Sequence, residues 1–400
     1  KRQYFLFMTN NLSENIKNVI EFLSIEGVTG YEKNIALSVK DKLIKYGVPE
    51  EYIFFDEANK KIPLFTETGN LIVKLPGTKQ GKRKLFSTHL DTVSLCKGAE
   101  PIINNGKIIA KNDTALGADN RGGVSCLVNL LKFLFQNNVE YTPLTCLFTV
   151  REESGLWGAR NVDKKDLGSP EIGFNTDGSS PYEIITSAVG AERWSVEIIG
   201  KGSHAGVAPD KGISSSIVAS IALSKTYEDG WFGLVEKNGL KGTSNIGYYG
   251  DHDGNCAGSS TNQVTDYVKI NGESRSMDQD FISEITNQYE KNFISASEMV
   301  KNSKNEKAQI KFKKSLDYFP FKLDDNLEVI KIAKESANKI GINSKTVAVN
   351  GGLDANWLIR NGIPTITFGN GHYNPHSLDE YLDIKEYEDS CELAISIATQ

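Results

Sequence analysis

The sequence is poor in cysteine, histidine and proline, and it has no long apolar run. Its five cysteines, Cys96, Cys126, Cys146, Cys256 and Cys391, stand at least 20 residues apart with no Cys-x-x-Cys pair. That excludes a dense disulfide framework, and an odd number of thiols in so long a chain points to the reducing cytosol. The most continuous apolar stretch, Leu144 to Val150, is broken by Thr145 and Thr149. A membrane-spanning helix needs roughly 20 apolar residues, so no span is expected. Neither sign of charge dominates: 45 Lys and Arg against 51 Asp and Glu leave a net −6. A broad grip on nucleic acid or an anionic membrane is therefore not expected. With 39% hydrophobic and 24% charged residues, the 400-residue chain is neither disordered nor fibrous. Its length suggests two or three domains. The segment before Met8 is basic and then briefly apolar, too short for a secretory signal. Residues 1–7 read as an upstream extension or an expression remnant.

Residues 13–46 read as two amphipathic helices broken at Gly27–Gly30. Short apolar strands follow at Leu71–Leu75, Leu85–Thr88, Leu144–Val150 and Ile172–Thr176, with a helix over Val124–Phe135. This alternation predicts a mixed, mostly parallel α/β sheet with helices on both faces. After Asp177 the texture changes. Strands at Trp194–Ile199, Gln263–Ile270 and Gln309–Phe312 enclose helices at Ser214–Lys225 and Phe281–Met299. That order predicts an inserted ferredoxin-like α+β domain. Helix Leu327–Ile340, strands Thr346–Val349 and Thr365–Phe368, and helix Ile384–Ala398 then complete the first domain. The expected boundaries are 8–187 with 319–400 for the catalytic domain and 188–318 for the insertion.

Several common chemistries lack their motif. No Gly-x-Ser-x-Gly marks a nucleophile elbow, and no Gly-Lys precedes Ser or Thr as in a phosphate-binding loop. Gly200-Lys201-Gly202-Ser203-His204-Ala205 fits a loose dinucleotide pattern. However, it falls where the sheet reads as antiparallel, and a true fingerprint opens a parallel βαβ unit.

The acids and histidines carry the signal. His89-Leu90-Asp91 follows one predicted strand, Glu152-Glu153 another, Asp177-Gly178 a third, and His376 comes shortly after a fourth. In an open α/β sheet, ligands bind at the carboxyl ends of the strands. Asp119 stands just before the long apolar helix and can reach the same crevice. Carboxylates gathered without a cation would repel one another and take up protons. Two divalent cations remove that conflict, and imidazole with carboxylate suits zinc. Glu152-Glu153 offers one acid to a metal and one to water.

These residues resemble the peptidase T branch of the co-catalytic di-zinc peptidases, a family that includes aminoacylase, acetylornithine deacetylase and glutamate carboxypeptidase. The likeness rests on His89-Leu90-Asp91, Leu116-Gly117-Ala118-Asp119-Asn120, Glu152-Glu153-Ser154-Gly155 and Thr176-Asp177-Gly178. Gly202-Ser203-His204-Ala205-Gly206, Thr261-Asn262, Arg275, Gly351-Gly352-Leu353-Asp354-Ala355-Asn356 and Asn374-Pro375-His376-Ser377 extend it. The resemblance implies that His89 and Asp177 hold one zinc, that Glu153 and His376 hold the other, and that Asp119 bridges them. Cobalt or manganese are possible substitutes. It implies that Asp91 orients His89 and that Glu152 is the general base. His204 would steady the oxyanion across a dimer interface, the insertion serving as lid and dimerisation domain. Asn262, Arg275, Gly351 and Gly352 would contact a small peptide. Plainer roles stay open: a turn for His204, a turn cap for Asn262, an ion pair for Arg275. His372 competes with His376, although Ser377 and Glu380 fit the ligand pattern after His376.

Deblocking and glutamyl aminopeptidases share a Glu-Glu-x-Gly string but carry their insertion between the first histidine and the bridging aspartate. Only 30 residues separate His89 from Asp119 here, whereas 199 separate Asp177 from His376. The implied activity is that of an aminopeptidase on di- or tripeptides in the cytoplasm. The alternatives are an N-acyl-amino-acid deacylase, a small carboxypeptidase, or a silent peptide-binding relative.

Overall fold

The computed structural model describes residues 12–251, 257, 258 and 260–400. The expected extension before Met8, His252 and Cys256 lie outside them. The chain forms two compact units. One comprises the residues up to Ala188 with Lys322–Val349 and Leu353–Gln400; the other comprises Val189–Phe321 with Asn350–Gly352.

The first unit is built on a mixed sheet. Its strands run in the order Ile53–Phe55, Leu71–Leu75, Leu144–Thr149, Lys84–His89, Ile172–Gly178, Thr365–Gly369, Glu183–Ala188. The four from Leu144–Thr149 to Thr365–Gly369 are mutually parallel. Every residue of Lys84–His89, Leu144–Thr149 and Ile172–Gly178 is buried. A parallel sheet demands this, because helices cover both faces. On one face lies the long helix Ala118–Gln136, packed against Glu14–Leu23 and Ile384–Thr399. A buried polar chain ties these three helices: Asn18 Nδ2 donates to Asn129 Oδ1, Asn129 Nδ2 to the Tyr387 hydroxyl, and that hydroxyl to Ser125 Oγ. On the other face, Ala159, Val162, Leu358 and Ile363 pack on Ile72, Leu85 and Leu147.

Phe174 and Phe86 meet on neighbouring central strands with ring centroids 5.4 Å apart, both fully buried. Phe174→Ala leaves a cavity between layers that cannot easily collapse. It is expected to lower stability by about 3–5 kcal/mol, read as a shift of the urea midpoint.

A small sheet of His372–Tyr373, Tyr381–Asp383, Lys107–Ala110 and Pro101–Asn104 was not anticipated. Strands of two to four residues are too short to show periodicity.

The second unit is a five-stranded antiparallel sheet. Its order is Gly233–Lys237, Leu240–Gly250, Tyr267–Ser276, Gly190–Ile199, Gln309–Tyr318, with helices Ser215–Glu228 and Gln279–Met299 packed against it. Without the edge strand Gly233–Lys237, this is the ferredoxin-like order. Three of the five strands are predicted from the sequence, one of them at 263–270. The hairpin not predicted turns at Asn238-Gly239, with φ of 52° and 80°. Asn-Gly favours such a turn because both central positions need a left-handed backbone. Trp194 anchors the core, 4.5 Å from the Tyr289 ring and 5.6 Å from that of Phe312. Strand Gly190–Ile199 is antiparallel to both neighbours, which is not the setting of a dinucleotide fingerprint at Gly200–Ala205.

No helix among the described residues is long and apolar enough to cross a membrane.

Candidate active site

The registers of the parallel strands bring their carboxyl ends level. His89 stands opposite Thr149, and Thr176 opposite Phe368. Chain leaving these ends delivers His89, Glu152 and Glu153, Asp177, and His376 to one side of the sheet. Asp119 arrives from the helix side. Asp119 and Asn120 depart from helical φ and ψ, so the regular helix begins after them. Gly123, in its first turn, is a close-approach position. A Cβ there would lie 2.4 Å from the Thr176 carbonyl and 2.5 Å from Thr88 Oγ1.

Two groups of potential ligand atoms share Asp119. His89, Asp119 and Asp177 form one; Asp119, Glu153 and His376 form the other. His89 Nε2 lies 3.0 Å from Asp119 Oδ1 and 3.3 Å from Asp177 Oδ1. His376 Nε2 lies 2.9 Å from Glu153 Oε2 and 3.6 Å from Asp119 Oδ2. Each group offers one imidazole nitrogen and two carboxylates, a donor set that suits a transition-metal dication. Glu152 belongs to neither group, yet its Oε2 is 3.9 Å from His89 Nε2.

The electrostatics fit an interior arranged around cations. Burial pushes Glu152 well above the usual carboxylate range, with Asp177 and Glu153 adding to it against His89. Burial and the Asp119 charge raise Glu153 to about 7. Burial also raises Asp177. Burial alone would lower His89, but Asp177, Glu152 and Asp119 hold it well above its ordinary value. Hydrogen bonds to Asp119 and Glu153 raise His376 to about 10. Asp119, despite burial, is held well below its usual range by His372, His376 and His89. Divalent cations would neutralise the same gathered carboxylates.

Supporting groups hold these side chains. His89 Nδ1 lies 3.0 Å from the Asp91 backbone carbonyl and 3.5 Å from Asp91 Oδ1, and the Asp91 carboxylate accepts from Thr29 Oγ1 at 2.7 Å. Its two oxygens also take the backbone N–H groups of Glu152 and Glu153. Asn120 Nδ2 donates to Asp177 Oδ1 at 2.8 Å, and Asn370 Nδ2 donates to Asn120 Oδ1. Glu380 accepts from the backbone of Gly117 and Asp119, fixing the turn that carries Asp119. Burial raises Glu380 to about 7. Asp354 is buried, accepts the Thr149 hydroxyl at 2.5 Å, and is raised to about 7 by burial. Glu32, fully buried, accepts from the backbone of Gly30 and Arg151.

Sequence reasoning assigned no role to Glu32, Asn120 or Asp354, although Asn120 and Asp354 fall within quoted motifs. It also set His372 against His376. The structure hydrogen-bonds His372 Nδ1 to Asn370 Oδ1 and puts His376 with Asp119 and Glu153.

In the second unit, His204 is exposed, and its Nδ1 accepts from the backbone of Gly206 and Val207. That fixes the tautomer with Nε2 as donor. The Asn262 carbonyl accepts from Ala205 N, placing Asn262 beside the His204 loop, and its side chain accepts from Ser260. The Arg275 fork is engaged by Glu273, through Nε at 2.9 Å and Nη2 at 3.0 Å, while Nη1 reaches the Asn350 carbonyl. Gly352 packs so closely on the Tyr318 ring that a Cβ would lie 2.4 Å from it, whereas Gly351 has open space.

Residues 85–400 match peptidase family M20/M25/M40. YqjE of Bacillus subtilis (strain 168), a protein of uncharacterised function, is 31% identical over 383 residues, covering 96% of each chain. A tripeptidase from Staphylococcus aureus subsp. aureus Mu50 superposes with a TM-score of 0.83 at 28% identity, covering 96% of this chain and 97% of that one. The aminopeptidase PepT from Bacillus cereus ATCC 10987 does so with a TM-score of 0.79 at 28% identity and the same coverage. With its fold, its gathered acids and histidines and these likenesses, the chain belongs to peptidase family M20/M25/M40, as a metallopeptidase resembling the peptidase T branch.

Proposed function

We propose that the chain is a zinc aminopeptidase that removes the N-terminal residue of di- and tripeptides. The observation that carries this reading is a buried carboxylate, Glu152, beside two ligand groups that share Asp119 and belonging to neither. His89, Asp119 and Asp177 would hold one ion, and Asp119, Glu153 and His376 the other. When bound, two dications supply Lewis acidity, polarising a carbonyl and making water acidic near neutral pH. Zinc suits the donors, and cobalt or manganese would substitute. Glu152 takes the proton from water and returns it to the leaving amine. Asp91 keeps His89 in one orientation. The tripeptidase and aminopeptidase neighbours support peptides over acylated amino acids.

The reading extends to the second unit as substrate-binding and dimerisation domain. His204 Nε2, already a donor, would serve the oxyanion from a second copy of the chain. Asn262, Gly351 and Gly352 would contact the peptide backbone, and Arg275 its terminal carboxylate. The four described cysteines are buried and unpaired, which suits a cytosolic enzyme.

A panel of di- and tripeptides against N-acetyl and N-succinyl amino acids, with added zinc, tests the substrate class. Turnover confined to the acylated set sinks the aminopeptidase reading in favour of a deacylase. On the best tripeptide, Arg275→Ala is expected to raise KM about 10- to 100-fold, the worth of a charge-assisted hydrogen bond, with little change for the C-terminal amide. Equal changes for acid and amide would leave Arg275 as only the partner of Glu273.

A further inference from the structure

The loop that carries Glu152 is held from below by two buried acids. Three consecutive backbone N–H groups each meet a carboxylate oxygen. Arg151 N donates to Glu32 Oε1 at 3.1 Å, Glu152 N to Asp91 Oδ1 at 2.9 Å, and Glu153 N to Asp91 Oδ2 at 3.2 Å. Arg151 itself stands at φ 53°, in the left-handed region. A side chain there costs on the order of 1–2 kcal/mol, so surrounding contacts must hold it. Its guanidinium does so on one side, donating to the Phe65 carbonyl and Thr66 Oγ1. On the other side the backbone is held by Glu32. The same Oε1 also takes Gly30 N at 2.7 Å, where φ is 91° and an added Cβ would strike the Arg151 guanidinium. Rotation at Arg151 turns the next side chain directly, and that side chain is Glu152.

We propose that Glu32 is a positioning residue for catalysis: by accepting the Arg151 N–H it locks the left-handed turn that aims the Glu152 carboxylate at the paired ligand groups. The proposal rests on Glu152 being the base. Loss of the acceptor leaves the part-buried Arg151 N–H without its carboxylate partner and releases the turn toward ordinary φ. A displacement of about 1 Å at a reacting group can cost on the order of 100-fold in rate.

The test uses the zinc-loaded 400-residue chain with a tripeptide substrate, three substitutions at Glu32, Glu152→Gln, and the Glu32→Leu/Glu152→Gln double variant. Glu32→Leu removes the acceptor at similar size. Glu32→Gln keeps an oxygen in place; burial and Asp91 already raise Glu32 to about 7, so a neutral amide is a close replacement. Glu32→Asp withdraws the carboxylate by one methylene and stands in for Glu32→Leu should that chain fail to fold. Glu152→Gln supplies the reference background. Glu32→Leu is expected to lower kcat about 10- to 100-fold, with KM within about twofold and two metal ions per chain retained; Glu32→Gln restores kcat. In the Glu152→Gln background, Glu32→Leu costs no further turnover, because its effect passes through a side chain already disabled. Wild-type kcat in Glu32→Leu, an equal loss in Glu32→Gln, loss of metal, or an undiminished effect in the Glu152→Gln background each overturns the proposal. Failure of the underlying reading looks different: Glu152→Gln then turns over like the wild type.

Discussion

Glu152→Gln is expected to lower kcat about 10³-fold on the best tripeptide while leaving the metal content and melting temperature close to those of the wild type. The size follows from the general base, whose loss typically costs 10²- to 10⁴-fold. The selectivity follows from the structure. Glutamine has the volume of glutamate, so a residue only 8% exposed is replaced without a cavity. Glu152 N is held by Asp91, a contact of the backbone that the substitution leaves alone. The side chain belongs to neither ligand group, so the ions should stay. An amide cannot take a proton from water, and the defect should therefore appear in kcat rather than in KM. Steady-state kinetics with saturating zinc, alongside metal analysis of the purified variant, decide the matter. Wild-type turnover would remove Glu152 from the chemistry.

What the sequence made legible was whatever had a local pattern. The parallel strands are buried throughout because both of their faces are covered, and their short apolar runs, though interrupted by Ser, Thr and Asn, stand out in a polar chain. Once the strands were placed, the carboxyl-end rule drew His89, Glu152, Glu153, Asp177 and His376 to one side of the sheet. Other features had no local signature. Glu32 lies 119 residues from Arg151 in sequence, and Asn120 lies 250 from Asn370. Each partner reads as an ordinary polar residue until the fold joins them. The strand Leu240–Gly250 shows little pattern because three of its eleven positions are glycine and about half are exposed, so its turn is the better signal. The Glu273–Arg275 pair had a signal too: residues two apart on a strand share a face, so the fork that suits a substrate carboxylate could equally be met by its neighbour.

Removing the ions should do more than stop turnover. A chelator is expected to abolish activity and to lower the melting temperature, and the gap between stripped and loaded protein should widen from about pH 5 to pH 9. The sign comes from the shifted groups. In the metal-free fold, Glu153, Asp354 and Glu380 are raised to about 7, and Asp177 is raised as well. These acids bind more protons folded than unfolded between their unfolded values and about 7, so stability falls as pH rises through that interval. His89 is held well above its ordinary value and His376 is raised to about 10. Their contribution is complete below the unfolded histidine value and is lost as pH climbs toward the folded one, which is again a loss with rising pH. Asp119 and Asp91 are depressed and act in the opposite sense, but only in acid, below the unfolded carboxylate value. Bound cations replace the protons, so the loaded protein escapes the decline. At a thousandfold excess over the dissociation constant, each site adds about 4 kcal/mol, enough for a shift on the order of 10 °C in the unit that holds it. Calorimetry of stripped and zinc-loaded protein at several pH values reads this directly, and restored turnover on adding zinc, cobalt or manganese ranks the ions. Coincident melting of the two forms at pH 8 would mean that the gathered carboxylates are not held by cations.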